Sequence, residues 1–152
     1  MIFYLSFVVV GRDFLSFQWD SLLLEVGFLA IFVSMALPMS SVLLVAFWLL
    51  AFRLMFSSGL AKIQSNDLTW RDFSALSYHF ETQPLPNPMS WYAANLSAKV
   101  LSFFCKLVLV LELMVPFLIL FGMQGRLLAV FFIVLFQLAI FATGNFSFFN
   151  IL

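Results

Sequence analysis

The sequence predicts an all-α protein, a polytopic membrane helical bundle of about four transmembrane helices in two hairpins joined by a structured polar loop. Three observations carry this expectation. Hydrophobic residues make up 64% of the 152 and charged residues only 9%, whereas ordinary soluble domains are roughly a quarter charged. A domain of this size folded in water still exposes a large surface, and this chain has too few polar groups to cover one. The apolar residues are also gathered into runs of about 20, the length that crosses a hydrocarbon core. The mean hydropathy of +1.12 and the 22 phenylalanines agree.

Met1–Val10 is apolar but has no basic segment and no small-residue cleavage site, so it is not read as a signal peptide. The first candidate span is about 15–36. It carries Asp20 and Glu25, and its polar residues Gln18, Ser21 and Glu25 recur at helical spacing on one face. That pattern suits a span with a polar inner face or a helix lying in the interface. The span is preferred because Phe28–Ala36 continues apolar up to Pro38. The second span is about 39–57, and Pro38 breaks the first hairpin. The third and fourth, about 100–122 and 126–143, are separated by Gly122-Met-Gln-Gly125, which predicts a second tight turn. All four form one membrane domain, residues 1–152.

The polar connection 58–99 reads as a folded cap against the bilayer. Thr69-Trp-Arg-Asp72 fits a capping box with Asp in the Glu position, and Trp70, Phe73 and Leu76 make one apolar stripe. "QPLPNP", Gln83–Pro88, must be extended, because each residue before a proline is pushed from the α region. Asn87 followed by Pro88 reads as an N-cap and first helical residue. Trp91 and Tyr92 then suit a membrane interface. On this reading His79–Pro88 is a rigid extended segment that seals one end of the bundle.

Ionisable groups inside a span are costly and need partners or a function. Glu25 and Arg53 fall about 20 Å from the first turn, at 1.5 Å per residue, so they are candidate partners. Glu112 and Gln137 share a depth of about 18–20 Å from the second turn. Lys106 and protonation are the other ways to hold Glu112. These groups serve either a proton or substrate path or interhelical contacts, each contact worth about 1 kcal/mol in a membrane.

Equal numbers of acidic and basic residues give no sign of a nucleic-acid partner. Cys105, the single cysteine, reads as a small buried hydrophobe. One His and one Cys do not complete a metal site, and no cofactor is implied. His79 beside Glu81 has the makings of a base and its orienter, but no nucleophile stands at a recognisable spacing, so no catalytic residue is assigned. The sequons at Asn95 and Asn145 lie too close to spans to suit a glycan.

"FQWDSLLLEVGFLA" (Phe17–Ala30), "FRLMFSSGLAKIQSNDLTWRDFSALSYHFETQPLPNPMSWY" (Phe52–Tyr92) and "GNFSFFNIL" (Gly144–Leu152) resemble the lipase maturation factor family in order and spacing. The middle block is specific: an Arg in a span, a Ser-Gly-x-x-Lys exit, a Trp, then His-x-Glu-Thr-Gln-Pro-Leu-Pro. The resemblance implies a non-catalytic chaperone that assists folding and dimer assembly of secreted lipases. Its location would be the endoplasmic reticulum membrane in a eukaryote or the inner membrane in a bacterium. It makes His79, Glu81, Thr82, Gln83, Pro84, Pro86 and Pro88 the candidate functional loop, with membrane lipid and a secreted lipase as partners. It also implies membrane sequence before this block and a more polar region after it, so the chain reads as a truncated member. The loop's orientation stays open, because the spread of Lys and Arg favours the cytoplasm while a secreted client requires the lumen. More distant likeness to vitamin K-dependent carboxylases and DoxX-type proteins supplies the alternative, a membrane enzyme or redox protein acting on a quinone-like substrate. A proton-linked transporter is a third.

Overall fold

The apolar runs fold as helices. A computed structural model describes residues 2–11, 18–35, 40–83 and 87–144, and among them there is no strand. Two compact units divide the chain, one on Met1–Leu50 and the other on Ala51–Ile151. The readings that fall on Pro38, Pro84, Pro86 and the sequon at Asn145, and the ends of the first expected span, lie outside the described residues.

The first unit contains α1 (Ile2–Gly11) and α2 (Gln18–Met35). They touch where the Tyr4 hydroxyl donates to Asp20 Oδ1 at 2.5 Å. Asp20 is buried in the first turn of α2, where the helix dipole favours a carboxylate. α1 is a helix that the sequence reading does not assign.

Among the described residues, three helical segments are long and apolar enough to cross a membrane: Ser41–Gln64, Ala98–Leu120 and Gly122–Thr143. Against the expected four, the described residues hold about three. α2, which carries Asp20 and Glu25, is not among them. The membrane helical bundle itself stands.

The second of the expected spans is longer than read. α3 (Ser41–Gln64) passes through Ser57, Ser58 and Gly59, and the chain leaves it at Asn66, which takes a left-handed φ of 57°. Asn is one of the few residues that tolerates this conformation past a helix end. In the second unit the part of α3 from Ala51 onward lies antiparallel to α7 (Ala98–Leu113), whose axis is continued by a 3-10 helix over Val115–Leu120. Pro116 is the physical cause of that change. It lacks the N–H that an α-helix would direct to the carbonyl of Glu112, four residues back, and its ring crowds that carbonyl. Phe117 then meets both Phe52 and Phe56 edge-on, at 5.2 and 5.5 Å.

The second turn is tighter than expected. α8 (Gly122–Thr143) starts where the loop was placed, so Gly122–Gly125 is its first turn. Gly122 has a φ of 65°. A Cβ on Gly125 would collide with the Leu118 carbonyl oxygen and stand 2.8 Å from Phe121 Cβ. Both positions need glycine.

The connection 58–99 holds three short helices: α4 (Leu68–Arg71), α5 (Ala75–Glu81) and α6 (Pro88–Ala94). Asp67, not Thr69, caps α4 by accepting from Thr69 N at 2.9 Å. Asp72 instead accepts from Ser74 N at 2.9 Å and turns the chain into α5. The Asn87–Pro88 start of α6 is as expected, with Asn87 Oδ1 accepting from Met89 N at 2.9 Å. His79–Glu81 is helical rather than extended. The first proline is Pro84, so its restriction acts on Gln83 and leaves residues 79–81 free to finish α5.

Candidate functional site

Two groups of side chains tie the second unit together. The first is an ion pair inside the membrane-crossing length. Lys62 Nζ donates to both carboxylate oxygens of Glu112, each at 2.7 Å. Glu112 lies near the middle of the Ala98–Leu120 segment with its side chain 6% exposed, against 23% for Lys62. Gly59 permits the approach. A Cβ there would stand 2.9 Å from Leu113 Cγ and 3.0 Å from Glu112 Cβ. Gly59 and Lys62 are three residues apart in one helix, so they share a face. The Lys62 ammonium also lies 5.4 Å from the centre of the Trp70 ring, within cation–π range.

These contacts fix a register. Lys62 near the end of α3 faces Glu112, and Phe52 faces Phe117. The N-terminal half of α7 therefore runs on beyond α3, by about 15 Å at 1.5 Å per residue. The short helices take up that flank. α5 packs on α7 and α6 on α8. Ala75 is buried, Cys105 is fully buried, and Lys106 Nζ sits 4.8 Å from the Phe73 ring centre. Phe73 adopts a φ of 61°, a strained value for a bulky residue.

The second group is a clasp on the C-terminal end of α8. Gln83 Nε2 donates to the Thr143 carbonyl at 2.9 Å, and Asn87 Nδ2 donates to the Gly144 carbonyl at 3.0 Å. The last carbonyls of a helix have no partner within it, and these two amides supply one. Gln83 Nε2 also lies 3.3 Å from His79 Nε2, an arrangement in which the amide donates and the ring nitrogen accepts. Burial, with a smaller contribution from the Lys62 charge, holds His79 below its ordinary pKa of 6.5. A neutral imidazole accepting at Nε2 is consistent with that direction.

Between α5, α6, α7 and α8 lies an apolar cleft of about 530 Å³, with Phe80, Ala93, Leu107, Leu111, Phe136 and Ala139 among its walls. His79 and Thr143 also line it.

The structure places the expected residues as follows. His79 and Gln83 stand together at the clasp, Thr82 closes α5 by donating from Oγ1 to the Tyr78 carbonyl at 2.8 Å, and Glu81 is exposed. Pro88 opens α6. Gln83 and Asn87 tie the loop to the end of α8. Glu112 meets Lys62, where the sequence offers Gln137, Lys106 or protonation. Sequence reasoning misses Lys62 because it ends the second span at Ser57, although it singles out the Ser-Gly-x-x-Lys exit. Glu25 is half-buried on α2 and Arg53 is exposed on α3. They belong to different units, and their pairing is a proposal from the sequence.

The model of the family described as the lipase maturation factor transmembrane domain matches residues 1–152. Lipase maturation factor 2 of Xenopus laevis is 46% identical over 162 residues, covering 99% of this chain and 23% of the relative. The Homo sapiens protein of that name is 40% identical over 170 residues, covering 98% of the chain and 24% of the relative. Lipase maturation factor 1 of Homo sapiens is 37% identical over 156 residues, covering 97% and 27%. The chain thus spans about a quarter of the length of the curated relatives it matches. No solved structure matches it.

Proposed function

Since this chain belongs to the lipase maturation factor transmembrane-domain family, we propose that it is the membrane part of a factor that assists folding or dimer assembly of secreted lipases. The assistance is non-catalytic, and the client is a secreted lipase. In a eukaryote the protein resides in the endoplasmic reticulum membrane, and in a bacterium in the inner membrane. One observation carries the reading: the family match runs the length of the chain, polar connection included, rather than over its apolar runs alone.

Within that role the segment from His79 to Pro88 is the working loop. The Gln83 and Asn87 amides fix both ends of the proline-containing stretch to the end of α8, so the loop is anchored at one place on the bundle. Anchoring a loop before its partner arrives lowers the entropy lost on binding.

The test is co-expression of the natural full-length reading frame containing this chain with a homodimeric secreted lipase, in cells lacking their own maturation factor. Secreted activity per lipase polypeptide should rise, and the rise should vanish when His79–Pro88 is replaced by a Gly/Ser linker. The double change Gln83→Ala with Asn87→Ala should reduce it severalfold while the protein's abundance is kept. No rise with the parent protein, well expressed and correctly located, would defeat the lipase reading.

A further inference from the structure

The cleft between α5, α6, α7 and α8 has no task in the reading above. Its α8 wall runs from Phe132 to Gly144 and its α7 wall from Phe104 to Leu111. At 1.5 Å per residue the longer wall is about 18 Å. α7 with its 3-10 continuation and α8 are both long enough to cross a membrane, and the cleft occupies the half nearest Ala98 and Thr143. A hydrocarbon core is about 30 Å thick, so one leaflet is about 15 Å deep. The length of the cleft matches one leaflet.

Its chemistry is graded along that length. The polar side chains of the lining, His79 and Thr143, stand at the outer end, where the Gln83 amide meets the His79 ring and the Thr143 carbonyl. The rest of the lining is aliphatic and aromatic, with Leu107, Leu111, Phe132, Leu135 and Phe136 along it. Water is unfavourable between such walls. Phe104, Leu107 and Leu135 line the cleft and are also exposed, continuous with Phe103, Phe131 and Leu138 on the outward faces of the same helices. The opening therefore belongs to the surface that these membrane-crossing helices turn toward lipid.

We propose that this cleft is a binding site for one acyl chain of a bilayer phospholipid, with its ester and headgroup end beside His79 and Thr143. The acyl chain comes from the adjoining leaflet, so it sheds no water on entry and gains close dispersion contacts with walls on several sides. A volume of about 530 Å³ is in the range of sites for ligands of this size. The bound chain completes the packing between the short helices and the α7–α8 pair, in the flank that α3 does not reach. The site is independent of whether the protein has a lipase client.

The experiment uses the natural full-length protein in nanodiscs of phosphatidylcholine, doped with a phosphatidylcholine bearing a photoactivatable diazirine midway along one acyl chain. After illumination the adducts are mapped by mass spectrometry. Labelling should be severalfold higher at Leu107, Leu111, Phe136 and Ala139 than at the outward-facing Phe103, Phe131 and Leu138. Ala139→Trp from one wall and Ala93→Trp from the other should each cut cleft labelling severalfold and leave the outward positions unchanged. Native mass spectrometry of the solubilised protein should show one retained phospholipid, lost in both variants. Even labelling of cleft and outward residues would overturn the proposal, since that is the pattern of unselective annular lipid. A cleft shielded from the probe by a co-purified protein segment would overturn it too. If one variant fails to fold, the other and the parent's own labelling pattern decide.

Discussion

Removing the ammonium of Lys62 tests the ion pair most directly. Lys62→Met keeps the length and apolar stem of the side chain but leaves the Glu112 carboxylate, 6% exposed, without the donor now 2.7 Å from each of its oxygens. Breaking a buried pair from one side costs about 3–5 kcal/mol. Interhelical polar contacts in membranes are weaker, about 0.6–2 kcal/mol. Lys62 keeps some access to solvent and Glu112 can take up a proton, so the expected loss is between these ranges, about 2–3 kcal/mol. Glu112→Leu should cost a similar amount, by stranding the ammonium. The double change removes both charges together and should lie within about 1 kcal/mol of the parent, because an apolar pair of similar volume replaces a buried ion pair at little cost. Reversible unfolding in mixed micelles gives all four free energies and hence a coupling of about 2 kcal/mol or more. Added salt should change it little, since a buried pair is weakly screened. Single losses that simply add in the double variant, within about 0.5 kcal/mol, would refute the reasoning.

Two further outcomes follow from the geometry and a third from the sequence. Gly125→Ala drives a methyl into the Leu118 carbonyl oxygen and to 2.8 Å from Phe121 Cβ in the present backbone, and should cost about 1–3 kcal/mol or more in the same unfolding assay. His79 is held below 6.5, so as pH falls through 6.5 the unfolded chain binds a proton that the folded chain resists. Stability should therefore be full above that value and decline below it. His79→Phe should flatten the decline, and equal slopes would remove His79 as its cause. For the proposed Glu25–Arg53 contact, Glu25→Arg with Arg53→Glu should recover part of the membrane yield lost by either single reversal. A double change as poor as the worse single one would separate the two residues.

Much of this fold is legible because hydrophobic length and turn chemistry act locally. Runs of about 20 apolar residues mark α3, α7 with its continuation, and α8. Asn87-Pro88 marks the start of α6, since one residue supplies the capping oxygen and the other a preset φ. What the sequence hides depends on partners distant along the chain or on competition between local signals. Ser57-Ser58-Gly59 looks like a span exit, yet nothing there prevents the helical ladder from continuing, and the bare face of Gly59 is needed where α7 crosses. Asp67 and Thr69 both qualify as caps, and the backbone takes the earlier one. Depth within its own hairpin matches Glu112 to Gln137, whereas its partner comes from α3, on the far side of the polar connection. Pro116 carries a local signal for the 3-10 continuation that span length alone does not use. The clasp is legible only in part. Resemblance identifies the loop, but Gln83 and Asn87 acting on the end of α8 require knowing where α8 ends.

A buried ion pair that an apolar pair can replace at little cost must be explained by something other than stability. In lipid, apolar helices slide past one another with little change in free energy, because acyl chains are as apolar as the side chains they replace. A bidentate pair at Lys62–Glu112, next to the close approach of the Leu113 and Glu112 side chains to Gly59, resists both translation and rotation. A slip of one helical turn, about 5.4 Å, breaks it completely. That register leaves the first half of α7 for α5, which carries α6 against α8, and so sets where the clasp meets α8. The double variant Lys62→Met with Glu112→Leu should therefore remain folded while its cap loosens. Amide exchange in α5 and α6 should quicken severalfold, with exchange in the middle of α8 unchanged. On the proposed function, lipase maturation by the full-length protein should also fall although its abundance does not. If instead the cap exchanges as slowly in the double variant as in the parent, Gly59 and the phenylalanines around Phe117 set the register alone, and the ion pair has no part in placing the loop.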